Sequence, residues 1–143
     1  MKHLFIAALL GMLCSAPVMA ASELEAQFAK ALNDYRASKG RAALSASPKL
    51  MRAAQSHATD MARHGYFSHK GRDGSSSNVR IKRQGCSGRT AENIAGGYSS
   101  PSALMRGWMG SKQHKSNMLR SDVHHFGIAR AGDIWVLVLA GKC

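Results

Sequence analysis

From Ser22 onward, apolar residues recur at Leu24, Phe28, Leu32 and Tyr35. These steps of three or four predict an amphipathic helix over about residues 22–38, ended by Gly40. Ser22 and Glu25 give its start a capping-box signature. A second stripe, Leu50, Ala54, His57, Ala58 and Met61, follows Ser47-Pro48 and stops at Gly65. Serine as N-cap with proline in the first turn is a helix-start signal. Glycine and serine dominate residues 70–77, which read as a loop before a short helix near residues 78–84. Ser100-Pro101 repeats the cap signature, and Ala103, Leu104, Trp108, Ser111 and His114 continue a third long helix. After Met118 the period changes. Residues 126–129 and 134–140 read as two strands joined through Ala131-Gly132-Asp133, and the unbroken apolar run of the second predicts a strand central in a sheet. Helices that precede strands without regular alternation predict an α+β layered domain.

Ahead of these elements stand Met1-Lys2-His3, an apolar run over residues 4–13, and Pro17-Val18-Met19-Ala20. They have the three regions of a secretory signal peptide, cleaved after Ala20. An apolar run of about ten residues falls short of the roughly 20 that span a bilayer. The expectation is a leader over residues 1–20, a single monomeric domain over residues 21–143 exported to the periplasm or extracellular space, and no transmembrane span after cleavage. Cys14 leaves with the leader. Cys86 and Cys143 remain, an even number in an oxidising compartment, and a disulfide between them is expected.

Lys and Arg number 20 against 8 Asp and Glu; loss of Lys2 with the leader leaves +11 with neutral histidines. So basic an exported protein meets anionic envelope polymers or lipids. A specific nucleic-acid partner is not expected, because Arg80-Ile81-Lys82-Arg83 has no interleaved aromatics and no reading helix. The plain reading of that cluster is a solvated basic face.

Familiar hydrolase strings are missing: no Gly-x-Ser-x-Gly, no His-Glu-x-x-His and no phosphate-binding glycine loop. Cys86, within Gly85-Cys86-Ser87-Gly88-Arg89, could serve as a nucleophile with His64 or His69 as base, but a disulfide to Cys143 would silence it. What remains is a scatter of polar residues: His69 after Phe67-Ser68, Glu92 with Asn93 in RTAENIAGG, and Ser111, His114 and Asn117 at three-residue steps after Trp108. On one helix those steps share a face. Each residue also has a plain explanation, with His57 as a packed helix histidine, His69 as a loop residue, Ser111 as a helix-end cap and Glu92 as the partner of a nearby arginine.

The blocks LNDYRASKG, AAQSHATDMARHGYFSH, AENIAGG and GWMGSKQHKSNML, in this order, resemble the CAP superfamily, also called SCP: cysteine-rich secretory proteins, antigen 5 and plant pathogenesis-related proteins. The bacterial single-domain branch is the part it resembles, from about Leu32 to the last strand. The resemblance implies an α-β-α sandwich, with a three-stranded antiparallel sheet between helical layers, and a cleft gathering two histidines and two acidic residues. The first histidine and first glutamate fall on His69 and Glu92. The second histidine falls on His114, thirteen residues before the strand glycine Gly127, and a family glutamine falls on Asn117. The second glutamate position holds Ser111. Glu92 is then expected to face His69 and His114 as the catalytic or metal-holding trio, with Asn93, Ser111 and Asn117 in support. Two imidazoles and one carboxylate suit Zn2+ with water in the open position, whereas the missing second carboxylate disfavours calcium. Three functions follow as expectations: a module binding an envelope component or lipid in this cleft, a hydrolase using His69 or His114 as base, and a polar cluster that only holds the central loops together.

Overall fold

The computed structural model describes residues 16–143, with side chains from residue 23. The expected leader therefore lies for the most part outside the described residues, and Cys14 lies wholly outside them. Among the described residues, no helix is long and apolar enough to cross a membrane.

The elements in chain order are α1 (Ala16–Ser38), β1 (Ser45–Ala46), α2 (Pro48–His64), α3 (Ser77–Arg83), β2 (Ser87–Gly96), α4 (Pro101–Gly110), α5 (Lys112–Met118), β3 (His125–Ala131) and β4 (Ile134–Lys142). Helix α2 follows the expected signals. The Ser47 side chain caps its first turn by accepting from the Leu50 N–H, and Gly65 ends it in the left-handed region at φ 64°. The capping-box signature at Ser22 does not start α1, because the helix already runs through Met19-Ala20-Ala21, residues that favour it. The third long helix is also corrected. It breaks at Ser111, which is extended at φ −100° and ψ 120°, after Gly110, a poor helix former, so two short helices stand in place of one.

The sheet order is β1-β3-β4-β2. β4 pairs antiparallel with both β3 and β2, giving the three-stranded antiparallel sheet that was expected, and the two-residue β1 adds a parallel edge to β3. β4 is central, and it is apolar from Ile134 to Ala140 because both of its faces are covered there. Trp135, Leu137 and Leu139 join the core formed with Phe28, Leu104 and Trp108 of α1 and α4, while Val136, Val138 and Ala140 join the core formed with Leu50, Ala54, Met61 and Ile81 of α2 and α3. The result is the α-β-α sandwich. On β3, Gly127 makes the fit of α2 possible, since a Cβ there would fall on the Leu50–Met51 peptide. Cys86, just before β2, is joined to Cys143, just after β4, in a disulfide. This bond consumes the thiol that the nucleophile alternative needed.

Candidate functional site

β2 is the strand that the hydrophobic pattern did not announce. Its segment from Ala91 to Ala95 is buried through pairing with β4, where Glu92 lies opposite Val138 and Asn93 opposite Leu137. Alternation along the strand sends these two polar side chains to opposite faces.

Glu92 shares a face with Ile94, on the side of α2 and α3, and its side chain is only 2% exposed. Both of its carboxylate oxygens are used. Oε1 accepts from His69 Nδ1 at 2.8 Å, and Oε2 accepts from Arg80 Nη2 at 2.7 Å. A carboxylate can only accept, so Nδ1 is assigned as the protonated nitrogen, which leaves Nε2 as the acceptor of the neutral ring. His69 is the exposed member of the pair, its side chain 56% accessible. Arg80 reaches Glu92 from α3. Its Nη2 also donates to the His69 carbonyl at 3.0 Å and its Nη1 to the Ser75 carbonyl at 2.8 Å, while its Nε is buried with no partner among the described residues.

Asn93, on the other face, is fully buried. Its Nδ2 donates to the His114 carbonyl at 3.1 Å, and its Oδ1 accepts from Asn117 Nδ2 at 2.8 Å. Asn117 Nδ2 also lies 3.2 Å from the Glu92 carbonyl, which accepts from it. Helix α5 is thereby attached to β2 through the main chain of His114. The His114 ring packs near Trp108, with centroids 5.9 Å apart. Its pKa is lowered, first by burial and then by the proximity of His69. Among the described residues no hydrogen bond or ion pair joins the His114 ring to Glu92, so the trio divides into a bonded His69–Glu92 pair and a third ring within electrostatic reach. Ser111 occupies the α4–α5 junction, where its N–H donates to the Trp108 carbonyl at 3.2 Å. No side-chain cap bond accompanies it.

His57 is buried on α2, as its place on the apolar stripe implied, and its Nε2 donates to the Ser68 carbonyl at 2.9 Å. That bond holds the segment immediately before His69. Burial lowers the His57 pKa and Arg80 lowers it further, with Glu92 acting in the opposite direction.

His69 and Glu92 open onto a pocket of about 520 Å3 that is also lined by Lys70, Ser76, Ser77 and Gln113. On the far side of Arg80, a groove of about 740 Å3 runs between α2 and α3, with Arg63, Arg72 and Arg83 on its walls beside Asp60 and Asp73. The charges of the larger cavity are mostly paired; the smaller one is lined by the His69–Glu92 pair.

Glu92 is not free to serve as a direct zinc ligand in this geometry, whereas its bond to His69 Nδ1 is that of a partner behind an imidazole. Among the described residues no three His, Cys, Asp or Glu side chains gather as metal ligands, and the Glu92 oxygens already serve an imidazole and a guanidinium. The plain reading of Glu92 as the partner of a nearby arginine holds, and Arg80 is that arginine, which the sequence reading left unnamed because it placed residues 80–83 in a solvated basic run. The available signal was Glu92 itself, since a carboxylate among alanines and glycines requires a cation.

The chain matches the model of the cysteine-rich secretory protein family (CAP) over residues 29–135. It is 31% identical over 124 residues to the Bacillus subtilis protein YkwD, covering 85% of this chain and 48% of that one. It is also 31% identical over 105 residues to YlbC of the same organism, described as a membrane protein, covering 73% of this chain and 30% of that one. The chain thus spans about half or less of the length of these relatives. Among solved structures, an extracellular protein containing an SCP domain from Bacillus anthracis aligns with a TM-score of 0.83 at 22% identity over 92% of this chain and 45% of that one. An outer surface protein from Borrelia burgdorferi aligns with a TM-score of 0.74 at 19% identity, over 82% and 91% respectively. With this fold, and with more than half of its residues matched, the chain belongs to the cysteine-rich secretory protein family, CAP.

Proposed function

We propose that this CAP domain is an exported binding module whose His69–Glu92 pocket holds a polar component of the cell envelope. The observation that carries the reading is the pocket wall: an imidazole and a carboxylate share about 520 Å3 with two serine hydroxyls, an amide and an ammonium group. Such a lining sets hydrogen-bond donors and acceptors among carbon surface, which favours a ligand that carries hydroxyl and amide groups on an apolar frame, such as a glycan, over a bare acyl chain. Export is supported by the leader-like pattern of residues 1–20 and by the extracellular and outer-surface descriptions of two structural neighbours. The net positive charge would hold such a module near anionic envelope polymers.

A hydrolase is the second reading, favoured by the 2.8 Å bond from His69 Nδ1 to Glu92. That bond fixes the tautomer and leaves Nε2 available as a base toward water or a hydroxyl. Incubation of the protein with soluble peptidoglycan fragments and with phospholipid vesicles, with and without chelator, tests both readings. Retention of fragments without product, lost in His69→Ala, supports the module, and His69-dependent cleavage selects the hydrolase. Retention on vesicles alone refutes the polar-ligand reading.

A further inference from the structure

Glu92 has a cation already, and it belongs to the protein. The Arg80 guanidinium lies 2.7 Å from Oε2 with its side chain 10% exposed, while Oε1 is occupied by His69 Nδ1. A metal ion ligated by a Glu92 oxygen would have to displace either Arg80 or the His69 Nδ1–H, and with both in place His69 Nε2 is a lone ligand, since among the described residues no three such side chains gather. It would also stand beside the positive charge of Arg80, which among the described residues pairs with no carboxylate other than Glu92.

We propose that Arg80 is the built-in cation of this cleft, a positioning residue that occupies the metal side of Glu92 and makes the His69–Glu92 pair independent of divalent ions. Its hydrogen bonds are arranged for that role. One nitrogen, Nη2, donates both to Glu92 and to the main-chain carbonyl of His69, so a single atom sets the carboxylate and the backbone that carries the imidazole. The other, Nη1, holds the Ser75 carbonyl, which anchors the loop beside the pocket wall at Ser76 and Ser77. A metal would impose its geometry on side-chain atoms alone; Arg80 orders side chain, main chain and loop together. The inference holds whichever ligand fills the pocket.

Calorimetric titration with zinc chloride tests it, using the wild-type chain, His69→Ala, Arg80→Lys, Arg80→Gln and the Arg80→Gln/His69→Ala double variant, each checked for fold by circular dichroism. Wild type and His69→Ala should both lack a stoichiometric zinc site, because with Glu92 occupied by Arg80 the exposed His69 Nε2 is a lone ligand. Arg80→Lys, which keeps the charge, should behave like wild type. Arg80→Gln should bind zinc about 10-fold more tightly or better, and the double variant should lose that gain. A stoichiometric zinc site in wild type that His69→Ala abolishes would overturn the proposal, and so would a folded Arg80→Gln with no gain. Should Arg80→Gln fail to fold, the imidazole nitrogen NMR signals of His69 in the wild-type chain decide, since they must not move when zinc is added.

Discussion

Asn117 Nδ2 donates to Asn93 Oδ1 at 2.8 Å, joining a seven-residue helix to the interior of an edge strand. The same nitrogen also serves the Glu92 carbonyl. Asn117→Ala leaves the fully buried Asn93 oxygen without a donor and should destabilise the domain by about 1–3 kcal/mol. Urea unfolding measures this, and an unchanged midpoint would show that water replaces the amide.

His69 and His114 should separate in function. Only His69 is bonded to Glu92 and lines the polar pocket, so His69→Ala should abolish retention of a pocket ligand. His114→Ala keeps the main-chain carbonyl that Asn93 uses and should weaken retention far less. Equal losses in a pull-down with peptidoglycan fragments would return His114 to the centre of the site.

Stability should fall in mild acid. The pKa values of His57 and His114 are both lowered in the fold, chiefly by burial. The unfolded chain, with imidazoles near 6.5, takes up protons before the folded one does, so its affinity for protons opposes folding as pH drops. The contribution is complete above about 6.5 and is lost as pH falls through the lower folded-state values. Urea midpoints taken between about pH 8 and pH 5 should decline, and His57→Gln with His114→Gln should flatten the slope. A midpoint that rises in acid would reverse the sign argued here.

Reduction of Cys86–Cys143, which are 57 positions apart, should lower the melting temperature. Chain entropy alone assigns such a loop about 4 kcal/mol. A melt repeated in excess dithiothreitol checks the effect, and thiol titration of the oxidised domain should find neither cysteine free.

Gly127→Ala should cost about 3 kcal/mol, because the added methyl group meets the rigid Leu50–Met51 peptide rather than a movable side chain. If the variant melts like the wild type, α2 can lift from β3 without loss.

Where the signals were local, the sequence was readable. Ser47-Pro48 and Ser100-Pro101 begin helices as their cap chemistry requires, and the apolar run after Asp133 is the central strand. β2 was not readable from pattern, because Ala91, Glu92, Asn93 and Gly96 have weak strand preferences and become a strand only by pairing with β4. The break at Ser111 was hidden by a three-residue spacing that two short helices preserve as well as one. His69 and Glu92 came forward through the family resemblance. Arg80 did not, since its partner lies 12 positions away and its neighbours Lys82 and Arg83 made it look like one more solvated charge.

The strand order has a consequence for how the chain assembles as it emerges from synthesis. β2 and β3 do not pair; β4 lies between them and follows both in the chain. Until it emerges, the buried carboxylate strand has no neighbour on which to form a ladder, and the two helical layers have no shared floor. The sheet is a zipper whose slider comes at the end: its three-stranded part can close only after nearly the whole domain is free, and the pairing of β2 with β4 is the kind of long-range contact that slows folding.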